Sequence, residues 1–510
     1  MILAFPTLLI INRVYSLVSP VASSSRFDVA VIGSGPAGST AASLLAKREG
    51  LRVALIDPKI DDEWPNNYGS WADEWSALAQ RLPEFNLEEC TTRRWETTDC
   101  FFGGSWGIDS EVRTKLDRAY VRVDRIKLRE ACISEDVERI ADKVSGVRSD
   151  WALNVYQEEL GNGIQHDATG TRLKLSSGRE IRATIIIDAT GFNSRLTLRG
   201  ETPAPGFQIA YGFEADVKSL CDYDPEAMLL FDYRDDYLPD ESKNKDWPTF
   251  MYAMPMGPGL VPDSTRVFFE ETVLVSRPAM SVHECERRAI ARLESMGIEI
   301  ISPRSEIELC YIPMGGPTPD PRQRIIAFGA AAGLVHPATG YQLCRCLSAV
   351  SDLTAAIGKA LKTTNNNPDL TAQAAYGALW PKKILHQRDF ALFGAEFLLT
   401  CDAKDLRGWF DAFFKLPNSV WGGFLAGWPG LPGNHHHETR LSRLLFGLDM
   451  FRRLPPPVAL KLVSYMVQFS FQEGPALLRS VTPFFGDNPI AFQDTDTVLR
   501  LQKEKIHEEH

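Results

Sequence analysis

The amino-acid sequence predicts an α/β fold: a Rossmann-type nucleotide-binding domain with an inserted antiparallel β-sheet domain and a helical C-terminal region. Three observations support this prediction. A glycine-rich turn joins a strand to a helix near the start of the chain, short β-type runs separated by turn residues fill the middle, and helical patterns rich in tryptophan and phenylalanine follow. The predicted boundaries are 26–205 and 311–368 for the nucleotide-binding domain, 206–310 for the sheet domain and 369–510 for the helical region.

Segment 27–58 is the strongest local signal, because it is typical of strand, tight turn, helix and strand in succession. The turn has the G-x-G-x-x-G register, in which successive glycines permit the turn, admit a pyrophosphate to the backbone and let the helix pack on the strand. Asp57 ends the second strand, where a carboxylate can accept hydrogen bonds from an adenosine ribose. The residues predicted to cradle the phosphates are Gly33, Gly35, Pro36, Ala37 and Gly38.

Composition excludes some functions. The formal net charge of −11 argues against a general nucleic-acid-binding protein, because no basic stripe is available to neutralise phosphates. Nine scattered cysteines lack both disulfide-scaffold density and metal-site spacing, which predicts reduced, mostly structural thiols. Cys344 and Cys346 are either a redox pair or two packed residues of one helix, and we favour the second interpretation.

The first 25 residues predict a targeting segment. Residues 1–11 are almost wholly apolar but too few to span a bilayer, and the small residues at 22–25 offer a cleavage point. A merely apolar N-terminal tail is the alternative, because no basic cluster precedes the apolar run.

Segment 63–75 combines turn residues with aromatic side chains and predicts a structured loop. Large aromatic side chains are costly to expose, so we expect them to line a cavity beside the nucleotide. A well-packed loop without a ligand is the competing interpretation. The side chains of this loop predicted to line the pocket are Trp64, Asn67, Tyr68 and Trp71.

Two later strands extend the predicted nucleotide site. The apolar run 185–187 leads into Asp188 and a turn at Gly191, which indicates a second parallel strand of the same sheet. A strand at 325–328 leads into small residues that open a helix, whose N-terminus can meet more of the dinucleotide. We expect His336 to have a positioning role there rather than to carry a proton. The predicted cofactor contacts of this part are Gly329, Gly333, His336, Thr339 and Gly340.

Glu270 and Glu271 follow Phe268 and Phe269 in the last β-type run of the sheet domain. Adjacent residues of a strand face opposite sides, so one glutamate can point into an apolar cavity while the other meets solvent or backbone donors. A carboxyl group among aromatic rings has a raised pKa and can act as a general acid near neutral pH. The alternative is that both are partly exposed edge charges.

The C-terminal region contains two further patterns. Residues 435–437 are consecutive histidines, which do not share a face, so we predict a solvated loop and no metal site. Segment 458–471 is apolar around much of a helix and is either buried or placed at a membrane surface.

Several motifs in this order resemble the lycopene cyclases of plants and algae, flavoproteins that close the end rings of carotenoids. The family pattern usually has Leu where this chain has Phe269, and both glutamates are in place. Besides the glycine fingerprint, the motifs are WPNNYG at 64–69, YAMPM at 252–256, FFEET at 268–272, IPMGG at 312–316 and GLVHPATGY at 333–341.

This resemblance implies FAD, held in its reduced form and not consumed, with NADPH as a possible reductant. It implies lycopene or a related polyene as substrate and a cyclisation started by an acid. Glu270 corresponds to the family's catalytic carboxylate, with Glu271 as the second candidate. Phe269 joins the predicted pocket, where Trp64 and other aromatic rings would stabilise a carbocation by about 2 kcal/mol.

The ring type is open, because some motifs are more similar to those of ε-cyclases and others to those of β-cyclases. We favour the β ring as the general product of the family. A redox flavoenzyme of the same fold and a prenyl carrier without catalysis are the other hypotheses. The resemblance also implies import into the plastid, and a water-insoluble substrate implies peripheral contact with a membrane.

Overall fold

A computed structural model of the chain describes residues 25–106, 113–145, 159–160, 163–199, 204–238, 247–472, 476–487 and 489. The targeting segment predicted for residues 1–25 lies outside the described residues, apart from its last residue.

The strands are numbered in chain order. They are β1 Ser25–Ile32, β2 Val53–Ile56, β3 Tyr68–Trp71, β4 Thr91–Trp95, β5 Thr97–Phe101, β6 Arg113–Leu116, β7 Tyr120–Val123, β8 Val137–Ile140, β9 Glu159–Leu160, β10 Ile164–Asp167, β11 Gly170–Lys174, β12 Glu180–Asp188, β13 Gly206–Val217, β14 Ala227–Asp232, β15 Thr249–Pro258, β16 Thr265–Ser276, β17 Ser305–Met314 and β18 Ile325–Ala327.

The α-helices are numbered in the same way. They are α1 Pro36–Lys47, α2 Ala72–Arg81, α3 Arg125–Cys132, α4 Val282–Met296, α5 Leu343–Thr363, α6 Pro368–Leu379, α7 Lys382–Leu398, α8 Ala403–Phe414, α9 Asn418–Ala426, α10 His435–Glu438, α11 Arg440–Arg453, α12 Pro456–Gln472 and α13 Ala476–Val481.

The first sheet has the order β8-β2-β1-β12-β11-β10-β9, and β18 also pairs with β12. Strands β8, β2, β1, β12 and β18 are parallel, and the β12-β11-β10-β9 part is antiparallel. Strands β2 and β18 are short, fully buried apolar runs, as expected for strands covered on both faces. Helices α1 and α5 pack together over this sheet. Because β1, β12 and β18 are parallel, their carboxyl ends lie at one edge.

The second sheet has the order β17-β13-β16-β15-β14-β5-β6. Its pairs are antiparallel except β5 with β14. Four predicted runs of segment 206–310 form β13 to β16, as expected. Strands β5 and β6 join the same sheet from earlier in the chain, and helix α4 packs on β13 and β16, a helix that the sequence analysis did not predict.

A third sheet, β3-β7-β4, contains part of the segment predicted as a loop. Tyr68–Trp71 pairs with β7, and α2 begins at Ala72, so the prediction of a loop over 63–75 is wrong in its second half. Regular pairing here depends on β7, a partner about fifty residues away that local sequence does not reveal.

The C-terminal helices pack their aromatic side chains on one face of the second sheet, while α4 covers the other face. Helix α12 has two different sides: Val458 and Leu462 are buried, whereas Leu460 and Val467 are exposed. Among the described helices, none is long and apolar enough to cross a membrane.

The predicted histidine loop at 435–437 is instead the short helix α10. The ring of His437 is buried and donates from Nε2 to the Val420 carbonyl at 2.8 Å. Burial lowers the pKa of His437 to about 4, so this histidine is neutral near pH 7.

Candidate active site

A cavity of about 590 Å³ lies between the carboxyl edge of the first sheet and one face of the second sheet. Its walls join the glycine-rich turn, the β2 and β12 ends, the loop before α5, and strands β13 to β17. The sequence-predicted residues that line it are Gly33, Gly35, Pro36, Ala37, Asp57, Asn67, Tyr68, Gly191, Glu270, Thr339 and Gly340.

The three glycines of the turn have different surroundings. Gly33 has φ +102°, and a Cβ there would lie 2.5 Å from the Ala189 carbonyl oxygen. A Cβ on Gly38 would lie 1.9 Å from the Gly33 oxygen, so α1 can approach β1 this closely only at glycine. A Cβ on Gly35 would meet nothing within 4 Å. The space over Gly35 is therefore open, at the N-terminus of α1, where backbone N–H groups favour an anion.

Asp57 is fixed beside this turn. Its carboxylate accepts hydrogen bonds from the Ser34 N–H and the Lys59 N–H, both at 2.8 Å. Trp64 braces the same turn, because its indole N–H donates to the Ser34 carbonyl at 2.8 Å. Trp64 itself is buried and does not line the cavity wall, although the sequence analysis predicted that it would.

Asp188 is buried behind the cavity wall. Its carboxylate accepts hydrogen bonds from the Thr190 N–H at 3.1 Å and the Thr197 hydroxyl at 2.9 Å. These bonds shape the turn that carries Gly191 to the cavity. Asp188 therefore does not reach the cavity to contact a cofactor, and it stabilises the turn instead.

The loop before α5 reaches the cavity through Thr339 and Gly340. Gly329 lies beneath the glycine-rich turn, where an added Cβ would be 2.8 Å from the Ala37 Cβ. Gly333, with φ +71°, ends a short 3₁₀ helix over Gly329–Ala332. Neither glycine lines the cavity wall. Both instead allow the backbone conformation of the segment behind it.

His336 is buried and does not line the cavity. Its Nδ1 accepts a hydrogen bond from the Ala338 N–H at 3.2 Å. Burial, with the nearby charge of Arg345, lowers the pKa of His336 well below its usual value. A neutral ring bonded to its own loop agrees with a positioning role.

Of the aromatic side chains predicted for the pocket, the structure brings Tyr68 to the wall and leaves Trp71 and Phe269 away from it. Trp71 is fully buried and packs on Trp421, with ring centroids 5.3 Å apart. Phe269 packs on Phe213 at 6.0 Å on the α4 side of the sheet. Strand alternation is the reason for Phe269, since its neighbour Phe268 faces the cavity instead.

Glu270 and Glu271 separate as alternation requires. Glu270 is half-buried at the cavity wall, where its carboxylate accepts a hydrogen bond from the Thr272 hydroxyl at 2.8 Å. Burial and the charge of Glu308 raise its pKa to about 8. A carboxyl group with this pKa holds its proton at neutral pH and can donate it into the cavity.

Glu271 lies on the opposite face and does not reach the cavity. It is fully buried and forms an ion pair with Arg292 of α4, with N–O distances of 2.8 and 2.9 Å. The hydroxyl of Tyr237 donates to the same carboxylate at 3.2 Å. Its partners are therefore side chains of α4 and a nearby loop, and not the solvent or backbone donors that the sequence analysis expected.

A second carboxyl group lies at the cavity, Glu308 of β17, which was not predicted from the sequence. Oxygens of Glu270 and Glu308 and the sulfur of Cys310 lie within 4.8 Å of one another. Glu308 accepts hydrogen bonds from Asn66 and Asn67, so two carboxyl groups lie together here and one of them is surrounded by N–H donors. The signal was available, because Glu308, Cys310 and Ile312 alternate along one strand.

The apolar end of the cavity was also missed. Phe231 packs on Phe250 and Phe410, with ring centroids 4.7 and 4.9 Å away. These rings come from β14, β15 and α8, which only the tertiary structure brings together. The aromatic and aliphatic side chains of this wall are Leu230, Phe231, Phe250, Tyr252, Met254, Phe268, Leu274, Phe410 and Leu425.

Comparison of the chain with known proteins identifies the protein family to which it is similar. Residues 28–435 match a family model described as lycopene cyclase protein. A capsanthin/capsorubin synthase from Citrus sinensis is 37% identical over 451 residues, covering 85% of this chain and 81% of that protein. A lycopene beta cyclase from Arabidopsis thaliana is 34% identical, covering 84% and 78%. A neoxanthin synthase from Solanum tuberosum is 35% identical, covering 87% and 84%.

Solved structures share the fold at low identity. A geranylgeranyl bacteriochlorophyll reductase-like protein from Thermoplasma acidophilum has a TM-score of 0.56 and 13% identity, covering 87% of this chain and 100% of that chain. The halogenase PltM, in complex with phloroglucinol and FAD, has a TM-score of 0.52 and 14% identity, covering 90% and 99%. These likenesses confirm the predicted fold class.

Proposed function

The chain belongs to the lycopene cyclase protein family, and on that premise we propose that it closes the end rings of lycopene without net redox change. The observation that carries the proposal is Glu270, a carboxyl group with a raised pKa in the wall of an aromatic cavity that continues to the glycine-rich turn. Acid-initiated ring closure needs this combination of a proton donor and a water-poor, cation-tolerant space.

Glu270 is the proposed acid. Its O–H bond breaks as a C–H bond forms on the terminal alkene of the polyene, and the next alkene closes the ring on the resulting cation. Loss of a proton from the ring cation then restores a double bond. Product and substrate are isomers, so no oxidant or reductant is consumed.

The aromatic wall would hold the polyene end and stabilise its positive charge. Phe231, Phe250 and Phe410 present rings to the cavity on the same face of the second sheet as Glu270. A desolvated cation over an aromatic face gains about 2 kcal/mol. The same side chains exclude water that would otherwise trap the cation.

FAD is the proposed cofactor, and the glycine-rich turn fits it. The open space over Gly35 and the α1 N-terminus would receive the pyrophosphate, and Asp57 would meet the adenosine ribose. Thr339 and Gly340 would hold the cofactor from the opposite wall. When bound and reduced, with NADPH as the proposed reductant, the flavin supplies negative charge near the cationic ring.

The proposed product is the β ring. Relatives over most of the chain include the lycopene beta cyclases of Arabidopsis thaliana and Capsicum annuum. An ε ring remains the alternative product, and a redox reaction on the same fold the alternative chemistry. The first alternative differs from our proposal in the pigment formed, and the second in the consumption of NADPH.

We also propose a plastid location with peripheral membrane contact. The curated relatives are named as chloroplastic or chromoplastic proteins. Support for the contact comes from an apolar stripe on α11, whose exposed leucines at i, i+3, i+4 and i+7 have no polar interruption on that face. The apolar stripe consists of Leu441, Leu444, Leu445 and Leu448.

Expression in a lycopene-accumulating bacterium tests the reaction, since pigment analysis reports ring type and ring number together. Purified enzyme with reduced FAD should form cyclic product without consuming one NADPH per ring. Stoichiometric NADPH oxidation would reject the cyclase reaction in favour of redox chemistry.

Glu270→Gln tests the acid. The variant should lose at least about a hundredfold in kcat while retaining FAD, because it removes the transferable proton. Glu294→Gln, an exposed glutamate on α4, is the matched control and should keep wild-type activity. Wild-type activity should fall as the pH rises through about 8, where Glu270 loses its proton. Full activity in Glu270→Gln would move the acid to another residue.

A further inference from the structure

Glu308 and Glu270 lie on either side of one glycine of the second sheet. Strand β13 lies between β16 and β17, and its Gly212 pairs with Glu270 on one side and with Glu308 on the other. Because Gly212 has no side chain, neighbouring side chains can lie close over it: an added Cβ would be 2.7 Å from the Phe268 ring and 3.5 Å from the Glu270 Cγ. Their oxygens lie within 4.8 Å of each other.

The two carboxyl groups have different partners. Glu308 accepts hydrogen bonds from the Asn66 Nδ2, the Asn67 backbone N–H and the Asn67 Nδ2, at 3.1, 3.1 and 3.0 Å. The Cys310 thiol donates to it at 3.2 Å. Glu270 accepts from the Thr272 hydroxyl at 2.8 Å. Several N–H donors stabilise the ionised form of a carboxyl group, so the negative charge belongs on Glu308 and the proton on Glu270.

A second layer fixes Asn67. Its Oδ1 accepts hydrogen bonds from Arg122 at 2.5 Å and Arg125 at 3.2 Å. Both arginines also pair with other carboxylates, Arg122 with Glu214 and Arg125 with Glu306, each at 2.6 Å. This arrangement orients the Asn67 amide so that its N–H groups face Glu308.

We propose that Glu308 is a positioning residue for the acid: as the ionised partner of a carboxyl pair, it keeps the proton on Glu270 until the polyene takes it. This inference rests on the proposed cyclisation. When the Glu270 O–H breaks and the C–H bond of the substrate forms, two neighbouring carboxylates remain. Their repulsion favours return of a proton to the pair, and the proton lost by the ring cation supplies it. The pair therefore starts the next turnover in its original state.

The groups that face Glu270 identify Glu308 as the source of the electrostatic effect. Thr272 faces it from its own strand, Tyr252 from β15, and Glu308 and Cys310 from β17. Burial raises the pKa values of Tyr252 and Cys310 well above their usual range, so both are neutral near pH 7. Two further groups lie nearby: Arg122 of β7 acts on Tyr252, and Cys285 of α4 lies across the sheet, where burial raises its pKa to about 12.

Glu308→Gln tests the proposal, because it removes the charge and keeps the shape. The alkaline limb of the kcat profile should move to lower pH by about one unit, which lowers activity about tenfold above pH 8. Glu308→Asp should restore most of the wild-type profile. Glu294→Gln, an exposed glutamate of α4 outside this network, is the matched control and should leave the profile unchanged. An unshifted limb in Glu308→Gln, or an equal loss at every pH, would overturn the proposal.

Infrared titration of the same proteins separates this inference from the cyclase reaction. The carboxylic-acid band of Glu270, identified by its loss in Glu270→Gln, should disappear at lower pH in Glu308→Gln than in wild type. This readout needs no turnover, so it tests the pair even if lycopene is not the substrate. A band that titrates identically in the two proteins contradicts the pairing.

Discussion

Single glycines decide what can approach the α1 N-terminus. At Gly33 the backbone has φ +102° and an added Cβ meets Ala189, whereas at Gly35 it meets nothing within 4 Å. The fold therefore requires glycine at position 33. At position 35 glycine is required because its missing side chain leaves space open. The sequence pattern treats them alike, and only the surroundings distinguish them.

Gly35→Ala is expected to weaken FAD binding about tenfold, or ~1.4 kcal/mol, without destabilising the apoprotein. The reason is that the added methyl group projects into the space proposed for the pyrophosphate and contacts no protein atom. Flavin titration by fluorescence and thermal unfolding of the apoprotein measure the two effects separately.

Two further glycines make this experiment specific. Gly377→Ala, at an exposed site of α6 with equal free space, should bind FAD as wild type does. Gly33→Ala should lower the stability of the apoprotein, because of its positive φ and the 2.5 Å approach to Ala189. Unchanged flavin affinity in Gly35→Ala would place the phosphates elsewhere.

At the scale of the element, β16 shows how one strand serves two layers. Its alternating residues Phe268, Glu270 and Thr272 line the cavity, while Phe269 and Glu271 pack toward α4. The sequence predicted that the glutamates face opposite ways. It did not predict which one faces the cavity, because that depends on α4 supplying Arg292 to the other side.

Glu271→Gln is expected to lower the free energy of unfolding by about 3 kcal/mol, because the fully buried Arg292 loses its counter-charge. Glu270→Gln on the same strand is the control and should change it little, since a proton already neutralises Glu270 near pH 7. Urea unfolding followed by tryptophan fluorescence measures both. Equal stability of the two variants would show that the Arg292 pair contributes little.

At the scale of the whole molecule, the cavity exists because two sheets meet. The first sheet contributes the glycine-rich turn and the second contributes both carboxyl groups and the aromatic wall. The C-terminal helices cover this wall through Phe410 and Leu425, and they carry the apolar stripe on their outer side. One helical layer thus lies between the proposed polyene cavity and the proposed membrane contact.

The double variant Leu445→Asp, Leu448→Asp is expected to weaken binding to vesicles that contain anionic lipid, about tenfold for each leucine, because burial of a leucine contributes roughly 1.5 kcal/mol or more. Co-sedimentation measures the binding. Leu260→Asp, an 86% exposed leucine of the β15–β16 loop, is the control and should bind as wild type does. If all three proteins bind equally, the apolar stripe is not the contact.

The sequence by itself determined the fold class, the glycine-rich turn, the runs that form β13 to β16, and the family. These features are local or periodic: glycine spacing, alternation of side chains and order of motifs are present in the chain before it folds. For the same reason the sequence indicated Glu270 and Glu271 together as candidate acids.

Only the tertiary structure decided which of these residues meet. Trp64 and Trp71 were expected at the cavity, yet they are buried behind it, because their packing partners come from distant segments. Glu308 comes within 4.8 Å of Glu270 because β13 separates β16 from β17 and places Gly212 between the two glutamates, a relation set by sheet order. Sheet order and helix packing are long-range, so the pairing of the two carboxyl groups could not be read from the spacing of residues along the chain.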